Sequence, residues 1–509
     1  MNSNSRTYNS IKNTIFGFMT QGLTIVLSFV TRTVFIKYLS IEYLGVNGLF
    51  TNVLTILSLS ELGFGTAMMY SMYKPLAEKN EHALEVLMNF YAKVYRIIGL
   101  VVGVVGLTIM PFLDYIIKDT PGISNLKLIY LLFLFNSVAS YFFSHKKSII
   151  QADQKQYIIA KIHLVSSIIK TLVQIIILII TGNYIIFLLV QISVTLFENI
   201  LISLEANKLY PFLKSKNNYQ LERKEKSSIW TNVKALMIYR VGSVALDGSD
   251  NIIISTFVGV AAVGTLSNYT LIIGTITTLL MLLSDSVLAS VGNYVVSENE
   301  KKQEELLEYI TFLHFVMYGF SFISIVFLVN PFIEIWLNSS FILNFSTTIV
   351  IAVNFYILGM MNPIWMFRRT KGLFVYGKYR PIISALINIV VSIVLAQRYG
   401  LIGVLLGTTV TRGLTNVWFD PYIIYRYGFN TSVKKYYLKT SLYAGVLFLL
   451  LMLMMLIFSF LPSTGIGIFL VKLLLCVSIT PLIIIIVFKN TKEYIYFKSI
   501  FLRMMNITK

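Results

Sequence analysis

The strongest constraint on this chain is the recurrence of apolar runs about 20 residues long, separated by short charged breaks. The hydrocarbon core of a bilayer is about 30 Å thick, and a helix needs about 20 apolar residues to cross it. Soluble domains carry about 25% charged residues. Here the charged fraction is 13%, against 56% hydrophobic residues in a chain of 509. Mean hydropathy is +0.75. No soluble core of this size hides so much apolar surface, so that surface faces lipid. The expected fold is an all-α polytopic membrane protein of about 14 transmembrane helices. Apolar periodicity places the spans at 12–38, 45–70, 89–117, 126–144, 157–181, 184–206, 230–257, 263–296, 309–329, 345–367, 377–397, 401–425, 440–461 and 466–488. The stretch 263–296 is too long for one straight span. It is expected to extend beyond the membrane or to break near Gly292. The start, Met1 to Lys12, is polar and lacks a small-residue cleavage pattern, so the first span is expected to be retained.

The net charge of +19 raises the question of a nucleic-acid partner. The position of the charges argues against one. With the N-terminus inside, the cytoplasmic segments hold about 29 Lys and Arg and the external loops about 3. Arg368, Arg369, Lys371, Lys378 and Arg380 are typical of the inside set. The charge reads as a topogenic signal, with anionic membrane lipids as a secondary partner. Both termini are expected in the cytoplasm and the chain in the cytoplasmic membrane. Loops 182–183, 258–262 and 462–465 carry no charge and leave no room for an external enzyme domain.

An internal repeat divides the chain. Arg32 to Gly45, RTVFIKYLSIEYLG, aligns with Asn251 to Gly264, NIIISTFVGVAAVG. The span holding Asn199 aligns with the span holding Asn416 at nearly the same offset. Six spans separate the copies, so the copies run in the same direction, as in transporters with parallel repeats. The expected organisation is a six-helix lobe over 1–206, a basic cytoplasmic linker over 207–229, a second six-helix lobe over 230–428 related by a pseudo-two-fold, and two further helices with a tail over 429–509.

Charges inside spans are costly, and they normally face a bundle interior or a water-filled cavity. Arg32 shares a face of its span with Gln21 and Ser28. His163, Ser167, Lys170 and Gln174 form one polar stripe on an otherwise aliphatic helix. Arg240 lies in the seventh span and Arg412 in the twelfth, among Thr408, Thr411, Thr415 and Asn416. Arg32, Lys170, Arg240 and Arg412 are candidates for a cationic cavity suited to a diphosphate or an acidic sugar. The competing reading pairs them with buried acids as structural glue. Those acids are Glu61, Glu198, Asp247, Asp250 and Asp285. In a dry site a carboxylate can exchange a proton, or hold sodium with neighbouring oxygens, so these five are candidates for coupling to H+ or Na+. Lys93, Arg96, Lys161, Lys234 and Lys472 lie near span ends and can snorkel. Glu205 and Asp420 sit near cytoplasmic ends and read as interfacial.

No P-loop, GxSxG or metal-binding helix motif is present. Cys476 is the one cysteine, and the four histidines lack zinc-site spacing. The chain is not expected to be an enzyme or to hold a metal or cofactor.

Asp250 to Tyr269, DNIIISTFVGVAAVGTLSNY, resembles the DNIIIS…VG…SNY pattern of bacterial polysaccharide flippases of the Wzx type. Asn330 to Trp336, NPFIEIW, resembles the same family, as does the first span with Gly45 after a short turn. Leu266 departs from the pattern, where tyrosine is frequent. The family belongs to the multidrug/oligosaccharidyl-lipid/polysaccharide exporter superfamily. The resemblance implies a fold like that of multidrug exporters and alternating access. It implies a cargo of undecaprenyl-diphosphate-linked oligosaccharide repeat units for capsule or other surface polysaccharide, with polysaccharide polymerase and chain-length machinery as partners. Related lipid II flippases use two extra C-terminal helices, which the last two spans would match. It transfers no catalytic residue. Two other readings stay open: an exporter of cationic drugs with the same fold, whose cavity should be acidic, and a membrane-embedded polysaccharide polymerase.

Overall fold

The computed structural model describes residues 3–58, 64–118, 123–214, 233, 242, 244, 248–373, 376–462 and 465–507. The described residues are helical almost throughout, and the chain is an all-α polytopic membrane protein. Two compact units divide it, 1–264 and 265–509. The first contains α1 (Ser3–Tyr38), α2 (Ile41–Leu57), α3 (Phe64–Ala77), α4 (Glu81–Ile109), the short α5 (Leu113–Ile116), α6 (Leu126–Ala152), α7 (Gln156–Thr181), α8 (Tyr184–Leu209) and the helical residues 248–257 (α9). Helix α10 (Val260–Ser297) follows. The second unit continues with α11 (Glu300–Trp336), α12 (Phe345–Thr370), α13 (Arg380–Tyr399), α14 (Leu401–Ile423), α15 (Lys434–Ser459), α16 (Ile466–Phe488) and α17 (Lys492–Ile507).

Eleven helices among the described residues are long and apolar enough to cross a membrane. Helix α2, with 17 residues, and α14, interrupted by Arg412 and Asp420, occupy two more of the expected spans. The remaining expected span, 230–257, lies largely outside the described residues, as does most of the basic segment 207–229. The expected single span 45–70 is replaced by α2, ending at Leu57, and α3, beginning at Phe64. Helix α10 is continuous through Gly292. Its 38 residues make a rod about 57 Å long, so excess length, not a break, accounts for the long apolar stretch.

Local chemistry sets the turns. Between α7 and α8 the chain reverses in two residues. Gly182 adopts φ +57°, which costs glycine nothing, and the Asn183 side chain accepts from the N–H groups of Ile185 and Ile186. Asn80 and Asn299 cap α4 and α11 in the same manner. Helices α13 and α14 approach closely through Gly403 and Gly407. A Cβ at Gly403 would sit 2.1 Å from the Leu395 carbonyl oxygen, and one at Gly407 would sit 2.2 Å from Ser392 Oγ. This is the small-residue packing that lets membrane helices touch backbone to backbone.

The two aligned segments touch each other. A Cβ on Gly45 would lie 1.9 Å from the Val260 carbonyl oxygen, and one on Gly264 would lie 2.4 Å from that of Ile41. Ile41 and Val260 occupy the same place in the two aligned segments, as do Gly45 and Gly264. Equivalent residues therefore make equivalent contacts with each other's helix.

The motifs that carry the family resemblance also meet. Tyr269 of SNY donates its hydroxyl proton to Asn330 Oδ1 at 2.6 Å, and the same hydroxyl accepts from Leu343 N–H at 2.7 Å. Asn330 Nδ2 donates to the Leu343 carbonyl, and Thr348 Oγ1 donates to Asn330 Oδ1. This closed network ties α10, α11 and α12 together, which gives the motif a structural role.

Candidate functional site

In the first unit the polar stripe of α7 faces a carboxylate on α8. His163 Nδ1 stands 3.1 Å from Glu198 Oε1, and Ser167 Oγ stands 3.4 Å from His163 Nε2. The His163 side chain is 41% exposed and that of Glu198 15%, so the pair is accessible from one side. Lys147 and Lys170 act on Glu198 through their charge, without a direct contact. Lys146, one residue along α6, donates to Ser203 Oγ on α8 at 2.8 Å. One carboxylate thus faces two ammonium groups and a histidine, with a third ammonium on the neighbouring Ser203. The surplus is positive, and no described carboxylate in the cluster offsets it. Gln174, at the end of the stripe, donates to the Phe187 carbonyl and serves packing.

Helix α1 lies along α7. Asn13 accepts from Tyr157 N–H and donates to the Gln154 carbonyl, while Thr20 donates to the Ala160 carbonyl. These contacts ascend both helices together, so α1 and α7 run parallel. Continuing at 1.5 Å per residue brings Arg32 to within about one turn of Lys170 in depth. Arg32 is half-buried.

Lys146 and Lys147 were invisible as site residues because the sequence ends their span at 144, which leaves His145, Lys146 and Lys147 in a loop. The helix runs on to Ala152, so these residues stay on the inward-packed end of α6.

The second unit uses charge differently. Asp420, expected to be interfacial, is fully buried. Arg368 Nη1 donates to its Oδ1, Arg380 Nη1 lies 3.3 Å from Oδ2, and Trp365 Nε1 donates to Oδ2 at 2.9 Å. Arg368 also donates to the Leu373 and Tyr376 carbonyls. Lys371 donates to the Gly428 carbonyl at 2.7 Å and lies over the Phe429 ring. Residues expected only to set topology therefore also stitch a loop. The reason is that burial of one carboxylate demands positive partners. Arg412 is buried and donates from Nη1 to both the backbone and side-chain oxygens of Asn354 on α12.

Of the other candidates, Arg240, Glu61 and Asp247 lie outside the described residues. Asp250 is half-buried on α9, and Asp285 lies on α10 with its side chain outside the description. Among the described residues no group of three His, Cys, Asp or Glu is placed to hold a metal ion.

Long apolar helices with a few buried charges among them define a polytopic membrane fold. The sequence matches no protein-family profile and no curated protein. Solved structures do match. The inward closed conformation of the lipid II flippase MurJ superposes with a TM-score of 0.62 at 16% identity, covering 94% of this chain and 99% of the flippase. An inward-facing multidrug resistance MATE family transporter of the MOP superfamily gives 0.58 at 14% identity, covering 78% of this chain and 94% of the transporter. A variant of the Vibrio cholerae MATE transporter VcmN gives 0.56 at 12% identity, covering 85% and 99%. The chain has the fold that these transporters share.

Proposed function

We propose that the protein is a flippase of the Wzx type that moves undecaprenyl-diphosphate-linked oligosaccharide repeat units across the cytoplasmic membrane for surface polysaccharide assembly. The observation that carries this reading is the surplus of positive charge around Glu198 on a fold shared with a lipid II flippase. A diphosphate carries the charge that Lys147 and Lys170 lack partners to neutralise, and α1 brings Arg32 to similar depth. A cationic drug would be repelled by the same cluster, which disfavours the drug-exporter reading. The short external loops expected from the sequence disfavour the polymerase.

Glu198 and His163 supply a route for coupling. A carboxylate in hydrogen-bond contact with an imidazole can take up or release a proton without leaving a bare charge. When Glu198 is ionised it draws the lysines inward. When a proton neutralises the pair, the lysines turn their full charge to the cargo. Proton coupling is favoured over sodium for this reason. Alternating access, the inward position of both termini and the two six-helix halves complete the proposal.

The test is transport by purified protein in proteoliposomes loaded with a fluorescent polyprenyl-diphosphate oligosaccharide. The expected result is translocation that slows when the proton gradient is collapsed and that falls about tenfold in Lys170→Ala. Failure to move this lipid, together with efflux of a cationic dye by the same vesicles, would overturn the reading in favour of a drug exporter.

A further inference from the structure

The second unit holds a cavity with a basic mouth. A cavity of about 510 Å³ opens between α13 and α14, within the range of small-ligand sites. These helices clasp at Gly403 and Gly407, and the cavity lies toward their opposite, basic ends. Its walls include Ile383, Ile387, Leu414 and Trp418, and its mouth carries Lys378 and Arg380. Ile383 is 52% exposed and Leu414 56%, so an apolar wall continues from the cavity onto the lipid-facing surface.

The charge at the mouth is positive by count. Asp420 lies between two guanidiniums, which leaves one positive charge over, and Lys378 adds a second. The Arg380 side chain is only 10% exposed, and its buried Nε–H has no hydrogen-bond partner among the described residues. A buried donor left in this way costs stability until something accepts from it. Lys378 sits 4.9 Å from the centre of the Tyr379 ring, held at the mouth on an aromatic platform. Gly377 adopts φ +74°, and a Cβ there would meet the Phe419 ring at 2.4 Å, so glycine lets the mouth loop close onto Phe419, which also lines the cavity. A cationic mouth with an apolar wall matches one class of ligand that surrounds every membrane protein.

We infer that this cavity is a binding site for an anionic glycerophospholipid, with the phosphate at Lys378 and Arg380 and the start of an acyl chain along Ile383, Ile387 and Leu414. Basic pockets between membrane helices bind anionic headgroups in this manner. A free phosphate explains the cations but leaves the apolar wall unused. The inference needs only the membrane-spanning fold and stands whether or not the protein is a flippase.

The experiment is native mass spectrometry of the full chain in detergent with added phosphatidylglycerol, phosphatidylcholine or glycerol 3-phosphate. The wild type is expected to retain one phosphatidylglycerol in preference to phosphatidylcholine and to ignore glycerol 3-phosphate. Lys378→Glu, which reverses a mouth charge, and Ile383→Trp, which fills the cavity from a half-exposed position, should each cut retention about tenfold. Leu386→Trp, on the exposed face of the same helix outside the cavity, should leave it unchanged. Equal retention of both phospholipids by the wild type overturns the inference. So does unchanged retention in both variants, or retention of glycerol 3-phosphate alone. Displacement of phosphatidylglycerol by a polyprenyl diphosphate would assign the cavity to that lipid class instead.

Discussion

Two carboxylates, one in each unit, make opposite uses of the same chemistry. Asp420 is sealed, with two guanidiniums and an indole N–H filling both of its oxygens. Glu198 is open on one side, held directly by His163, and faces lysines that it cannot neutralise. The first arrangement is closed in geometry and leaves nothing for a ligand to do at the carboxylate itself. The second is unfinished, and a ligand of the right charge completes it. Cost separates the two as well. A buried ion whose partner is removed loses several kcal/mol, whereas an accessible one is rescued by water.

The sharpest way to break the comparison is to neutralise each acid. Asp420→Asn leaves two buried guanidiniums uncompensated and should destabilise the second unit by about 3–5 kcal/mol. Loss of folded yield and a lowered thermal midpoint in detergent would be the readout. Glu198→Gln should fold with a midpoint close to wild type yet lose most transport. If Glu198→Gln unfolds the protein while Asp420→Asn does not, the roles assigned here are reversed.

A middle-sized effect is expected from the lysines. Lys147→Ala should cut transport about tenfold with little change in stability. Lys371→Ala, which removes a donor to a backbone carbonyl, should change stability by about 1 kcal/mol and leave the transport rate per folded molecule intact. Transport and thermal midpoints measured on the same preparations distinguish these outcomes.

The smallest effect concerns pH. Glu493, on the amphipathic helix α17, contacts Lys439, which also pairs with Glu308 at 2.6 Å. Burial alone would raise its pKa, but the Lys439 ammonium, its own backbone N–H and Lys435 together bring it below the ordinary carboxylate value of 4.5. A depressed carboxylate contributes stability that is complete above its unfolded pKa and is lost as pH falls through its folded pKa. The docking of α17 should therefore be constant from pH 7 to about 5 and weaken below about 4. Hydrogen exchange of α17 across that range checks this, and Glu493→Gln should flatten the response.

Much of the helical frame was legible in the sequence, because lipid punishes a polar residue at almost every position of a span. Expected span 466–488 and the two-residue turn at 182–183 agree with the structure to the residue. What sequence could not show arises from contacts between distant residues or from helix that outruns the membrane. Asp420 looked interfacial because its partners, Arg368 and Arg380, lie 52 and 40 residues earlier. His145, Lys146 and Lys147 looked like a loop because polar residues end an apolar run without ending a helix. Helix α17 looked like a tail because only one of its faces is apolar. The α7 stripe was readable in advance, since one helix alone displays it; its carboxylate partner was readable only as one of five acids.

The contact between Gly45 and Gly264 bears on which substitutions this crossing tolerates. The two positions have separate codons but shared surroundings. Neither can accept a side chain unless the opposing backbone retreats, and retreat would disturb the twin as well. The other letters of the two aligned segments are mostly different. At this crossing the two positions answer to each other, so that a substitution at one is felt at both.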